Sequence, residues 1–140
     1  MNKLEKNKME QLHPNIQLIQ RFFYSYANND LACIKEILAS DIKWVIPGNH
    51  ILSGTKRGVE EVLNYFKELS KYHFEAEPIV MGFNEDYVID CHWNWSNTNG
   101  SDNLKSMSCL LWKISGGKII EVYNFPQDQY LVDSFFGMKK

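Results

Sequence analysis

Much that would announce a function is missing from this sequence. It has no Cys-x-x-Cys pair, no Walker loop and no Gly-x-Gly-x-x-Gly turn, so zinc-ribbon, nucleotide-hydrolysing and dinucleotide chemistry find no anchor in it. No stretch approaches the roughly 18 to 20 apolar residues that a membrane-spanning helix needs. Positive charge is not in excess either: Lys and Arg total 15 against 17 Asp and Glu, a formal net charge of -2, which argues against a nucleic-acid partner. Cysteine is limited to Cys33, Cys91 and Cys109, far apart and odd in number, which fits small buried thiols in a reduced, cytoplasmic setting. His13, His50, His73 and His92 show no metal-ligand spacing, so no metal site is expected. Met1 to Gln11 alternates Lys, Glu and Asn without an apolar segment; residues 1–12 are expected to be a solvated tail, not a secretory signal.

What remains is a globular chain rich in rings. Its 140 residues suit one domain, expected over 13–140, and 44% of them are hydrophobic with 14% aromatic. Pro14 fits a first helical turn, and Ile16, Ile19, Phe23 and Tyr26 follow at helical steps, widened by Leu18 and Phe22. Asn28-Asn29-Asp30 breaks that helix. Asp30 is a good N-cap for a second, short one, with Leu31, Ile34, Ile37 and Leu38 as its buried face and Ser40-Asp41 as its end. Ile42 to Ile46 predicts a strand stopped by Pro47-Gly48-Asn49, and Ile51-Leu52-Ser53 a short returning strand. Val59, Val62, Leu63, Phe66 and Leu69 then trace a third helix. The rest reads as strands: Phe74 to Phe83, with Pro78 marking an edge or a bulge, then Tyr87 to Asn97, Leu104 to Ile114 and Ile119 to Phe125. A short helix behind Asp128 closes the chain. Helices first and hairpin-linked strands afterwards define an α+β domain with a mainly antiparallel sheet.

Several stretches carry a family resemblance: Phe22 to Asp30, Trp44-Val45-Ile46-Pro47-Gly48, Ser53 to Gly58, Gly116 to Glu121, and Asp128-Gln129 with Asp133 to Phe136. On these the chain resembles the nuclear-transport-factor-2-like superfamily, and more closely its SnoaL-like polyketide-cyclase branch, from about Asn15 to Gly137. The resemblance implies a cone: a curved sheet wrapped around the helices, an apolar pocket at its open end, and a homodimer formed through the opposite sheet face. It fixes no activity, because this superfamily holds isomerases, cyclases, dehydratases, epoxide hydrolases and binding modules.

Four residues are candidate acids or bases. In the ketosteroid-isomerase relatives a carboxylate near the end of the first long strand is the base. Here that stretch is Pro47-Gly48-Asn49-His50, so His50 takes the role or is an exposed hairpin residue. SnoaL-like cyclases use an aspartate just beyond the last strand, where Gln127 stands here with Asp128 next to it; Asp128 supplies the acid or caps the last helix. Alternation along Tyr87 to Asn97 separates Asp90, His92 and Asn94 from Ile89, Cys91, Trp93 and Trp95. The row with two tryptophans suits a core, which would turn Asp90 and His92 outward. If the polar row faces inward, the two form an acid/base dyad.

Ligand contacts are expected from Tyr24 on the first helix, Trp44 and Trp112 on inward strand faces, Phe66 on the third helix, and Asn124 as a hydrogen-bond donor. Together these point to a pocket for a small, apolar or ring-bearing oxygenated molecule, with proton transfer next to a carbonyl as its chemistry and no cofactor required. The competing reading is a non-catalytic ligand-binding or dimerisation module on the same fold, favoured by the absence of a carboxylate at Asn49 and Gln127.

Overall fold

Pro14 does open a helix in the computed structural model, which describes residues 2, 12–100 and 102–139. Helix α1 (Pro14–Ala27) is capped by the His13 imidazole, which accepts from the Asn15 N–H at 3.1 Å. Ile16, Ile19, Phe22 and Ser25 form its buried stripe. Asp30 caps α2 (Leu31–Ile37) by accepting from the Cys33 N–H. Strand β1 (Leu38–Ile46) follows without a loop. The expected helix end at Ser40-Asp41 is thus corrected: Leu38 is already extended, and its register partner is Ile119. A bulge between Leu38 and Lys43 blurs the alternation that would have revealed the longer strand.

The return strand also lies further on than expected. Ile51-Leu52-Ser53 form a turn, and β2 is Gly54–Arg57, too short and too polar to read as a strand. Helix α3 (Gly58–Ser70) has Glu60 and Glu61 in its first turn and Lys67 in its last, each complementing the helix dipole. Four strands follow: β3 (Glu75–Phe83), β4 (Tyr87–Trp95), β5 (Lys105–Ser115) and β6 (Lys118–Pro126); α4 (Gln129–Phe136) ends the domain. The expected tail falls, except for Asn2 and Leu12, outside the described residues.

All six strands make one sheet in the order β2-β1-β6-β5-β4-β3, antiparallel except where β1 runs parallel to β6. The helices cover one face. Ile42, Trp44 and Ile46 of β1, Val88 of β4, Trp112 and Ile114 of β5 and Val122 of β6 point into it. Phe22 sits at the centre, its ring 4.8 to 5.7 Å from those of Phe23, Trp44, Phe66 and Trp112. Pro78 stands on the edge strand beside a bulge, since Pro78 pairs with His92 while Val80 already pairs with Cys91. Ile79 is the extra residue, so the edge strand bends at the level of His92.

Candidate active site

The polar row of β4 faces inward. Asp90 is 2% exposed and His92 7%, whereas Ile89 is 49% and Trp93 36% exposed. The expectation that the tryptophan row fills the core is therefore overturned. Asp90 is tolerated inside because both of its oxygens are used. Oδ2 lies 2.6 Å from His92 Nδ1, and Oδ1 accepts from Trp112 Nε1 at 2.6 Å. An ionised carboxylate only accepts hydrogen bonds, so with Asp90 ionised the imidazole proton sits on Nδ1 and Nε2 is left with a free lone pair. The His92 ring packs edge-on against Phe23, 5.6 Å away, which fixes its second plane.

Above this dyad lies a cavity of about 130 Å³. Its walls are mostly rings, among them Phe22, Tyr26, Trp44, Tyr65, Phe66 and Phe136. Its polar groups are few: His92 and Asn94 of β4, Ser108 of β5, Asn124 of β6, the two tyrosine hydroxyls and Glu75 at the rim. Asn94 Nδ2 donates to Ser108 Oγ at 3.3 Å. Asn124 Oδ1 is buried with no partner among the described residues, a costly state that a ligand donor would relieve. Burial pushes the Tyr26 phenol up to about 12 and raises Tyr65 further still, so both remain protonated at neutral pH and can donate.

The candidates from the sequence divide sharply. Trp44, Phe66, Asn124 and His92 line the cavity, with Asp90 directly behind His92. Trp112 is fully buried beneath it and reaches the site only through its bond to Asp90. Tyr24 is 74% exposed and takes no part. Tyr26, two residues and about 200° further round the helix, is the tyrosine of α1 at the cavity. Asp128 is exposed and caps α4, accepting from the Leu131 N–H at 3.0 Å. The sequence reading missed Tyr26 and Tyr65 as lining residues and the Trp112 bond.

His50 is neither an exposed hairpin residue nor a member of the cavity. It is 1% exposed, its Nδ1 accepts from the Leu52 N–H at 3.1 Å, and its ring stacks on Phe136 at 4.9 Å. Its loop serves to seat α4. Asp133 accepts from the Asn49 N–H and Gln129 Nε2, and Gln129 also donates to the Pro47 carbonyl. Gly48 permits this close approach: its φ is +96°, and a Cβ there would overlap Gln129 and Asp133. Seated this way, α4 brings Val132 and Phe136 to the cavity wall.

Burial lowers the His50 pKa below the ordinary imidazole value; Asp133 opposes that shift, and Lys139 and Lys56 reinforce it. The fold thus favours neutral His50, and this contribution to stability is complete above the unfolded value near about 6.5 and is lost as pH falls below it. Thermal melts from pH 8 to pH 5 are expected to show a falling Tm below that point. His50→Asn, which keeps an acceptor for Leu52, is expected to shrink the fall; parallel profiles for the two proteins would refute the assignment.

With the geometry in hand, likeness to known proteins can be placed. A SnoaL-like domain model matches residues 19–122, and the chain belongs to that family, with an NTF2-like fold. An uncharacterised protein of Mycobacterium bovis is 23% identical over 125 residues, covering 87% of this chain and 95% of its own. Among solved structures, Bal32a from a soil-derived mobile gene cassette superposes with a TM-score of 0.83 at 21% identity, covering 89% of this chain and 97% of that one. A protein of unknown function with a cystatin-like fold from Xanthomonas campestris gives 0.80 at 28%, covering 88% and 98%. More distant neighbours of the same fold include a candidate SnoaL-like polyketide cyclase from Jannaschia and an LEH-like epoxide hydrolase from M. tuberculosis. The chemistry of these neighbours varies on a shared fold. Among the described residues no helix is long and apolar enough to cross a membrane, and no three metal-type ligands converge.

Proposed function

We propose that the protein is a small acid/base enzyme in which His92, oriented by Asp90, removes a proton from carbon beside a carbonyl of a ring-bearing substrate. The observation that carries this reading is the dyad itself: a buried carboxylate held by an indole N–H, turning an imidazole towards a cavity walled by rings. In the step proposed, the C–H bond breaks, its proton goes to Nε2, and the electron pair moves to the carbonyl oxygen as an enolate. The tyrosine hydroxyls of the wall, both held protonated, are the donors available to that oxygen. The proton then returns from Nε2 to carbon at the same or a conjugated position. No redox cofactor enters such a reaction. Dry, ring-lined walls strengthen each of these electrostatic contacts relative to water.

The reading is tested by incubating the protein with cyclic ketones and enones in heavy water and following deuterium uptake at carbon by mass spectrometry. Uptake that requires His92 supports it. Binding without uptake across the series would leave the ligand-binding module as the better description.

The same reading includes a homodimer. The sheet face away from the helices carries Ile89, Trp93, Met107, Leu111 and Phe125 in adjoining register, and no element among the described residues covers it. A second copy is the natural cover for so continuous an apolar surface, which a monomer rarely leaves open. Sedimentation is expected to give twice the chain mass, and Trp93→Asp is expected to give the monomer. A monomeric wild-type protein would refute this.

A further inference from the structure

The ring-walled cavity does not end at His92. A groove of about 700 Å³ runs between α1 and the edge strand β3, lined by Ile16, Ala27, Pro78, Ile79 and Met81. It shares Phe23, Tyr26, Phe74, Glu75, Ala76 and His92 with the inner chamber. The two spaces therefore adjoin, and the imidazole is among the side chains that border both. The bulge at Ile79 falls between the partners of His92 and Cys91 in the strand register, next to the shared lining residues.

The two spaces differ in what they can hold. A dry cavity of roughly 150 Å³ accommodates one benzene-sized ring. The inner chamber, at about 130 Å³, is therefore matched to one ring. The outer groove is several times larger, long and mainly apolar, which suits a chain. Asn124, which lines the chamber, and Gln20, which lines the groove, each carry a side-chain oxygen that is buried and without a hydrogen-bond partner among the described residues. An unmet acceptor of this kind costs free energy, and turning either amide towards a ligand hydroxyl or N–H would relieve it.

Resting on the acid/base reading above, we infer that the substrate class is a single six-membered ring bearing a hydroxyl, one largely apolar chain and a carbonyl beside the carbon where ring and chain join. The ring occupies the inner chamber with its hydroxyl donating to Asn124 Oδ1. The chain leaves past His92 and lies in the α1–β3 groove, and a second donor along it meets Gln20. The atom that loses its proton stands where ring and chain join, since the imidazole is there. This arrangement gives the groove the task of chain-length selection.

The probes are phenol, 4-propylphenol and 4-hexylphenol, titrated against the full chain by intrinsic tryptophan fluorescence, with Trp44 in the chamber wall as reporter. Affinity is expected to rise roughly three- to fourfold for each methylene taken into the groove. Asn124→Ala is expected to weaken every member by about five- to tenfold, the loss of one hydrogen bond. Ile79→Asp, a change at a side chain already 48% exposed, places a carboxylate on the groove wall and is expected to abolish the gain with chain length. Affinity that stays flat along the series, while Asn124→Ala still weakens phenol, would overturn the chain groove and leave the acid/base reading standing. A length dependence that Ile79→Asp does not change would place the chain elsewhere and overturn the assignment. No binding by any member would overturn the ligand class and the pocket reading together.

Discussion

His92→Asn is expected to lower kcat/KM for deuterium uptake by about 10²- to 10⁴-fold, the usual worth of a positioned base. Asparagine keeps a donor for Asp90 where Nδ1 stood, so the carboxylate stays satisfied and the fold survives, but nothing remains at the position of Nε2 to take a proton. Asp90→Asn is expected to do comparable damage by a different route. Its amide can donate to Nδ1, which moves the imidazole proton to Nε2 and presents the substrate with a donor where it needs an acceptor. Trp112→Phe should be milder, because it removes one of the two donors to Asp90 and leaves the 2.6 Å contact to His92 in place. Steady-state rates of deuterium uptake separate these cases, with Trp112→Phe staying closest to wild type. Activity within a few fold of wild type for His92→Asn would remove His92 from the chemistry.

The second large effect concerns stability. Phe22→Ala is expected to cost about 3–5 kcal/mol, the range for deleting a buried phenylalanine. At roughly 2–4 °C per kcal/mol for a chain near this length, Tm falls by about 10–15 °C. The value belongs at the upper end of the range because Phe22 is 3% exposed and touches rings on three separate elements, α1, α3 and the sheet. Helices and strands therefore lose their common contact together. Phe22 also lines the cavity, so its removal enlarges the chamber. Added benzene should restore part of the lost Tm in Phe22→Ala and raise Tm more there than in wild type. A loss below about 1 kcal/mol would show that the surrounding rings collapse into the gap.

Much of the architecture was legible in the sequence because the helical stripes and caps are local. Asp30, Asp128 and Pro14 mark helix starts through chemistry contained within a few residues, and all three stand where that chemistry puts them. The inward side of β4 was not legible. Period-2 alternation separates the two rows of that strand but cannot rank them when both are unusual. Here the outer row is apolar, as is the neighbouring outer surface of β5 and β6, while the inner row carries an aspartate that would be prohibitive if unpaired. What makes Asp90 acceptable is the indole of Trp112, 22 residues later in the chain. That pairing depends on strand register, which no local pattern encodes. Tyr26, by contrast, was within reach of local pattern, since it continues the helical stripe of Ile16, Ile19 and Phe23 that Tyr24 leaves.

The single parallel ladder has a consequence for how the protein is made. β1 finds its inner neighbour only in β6, with Leu38 opposite Ile119 and Val45 opposite Tyr123. While the ribosome is still extending the chain, the first half can form its helices and the β1–β2 hairpin but has no surface to dock them on. Such distant pairing slows folding and lengthens exposure of the greasy segments. Nascent chains stalled before Ile119 should therefore be held by chaperones and cut readily by protease, and resistance should appear abruptly once the final strand has emerged from the exit tunnel.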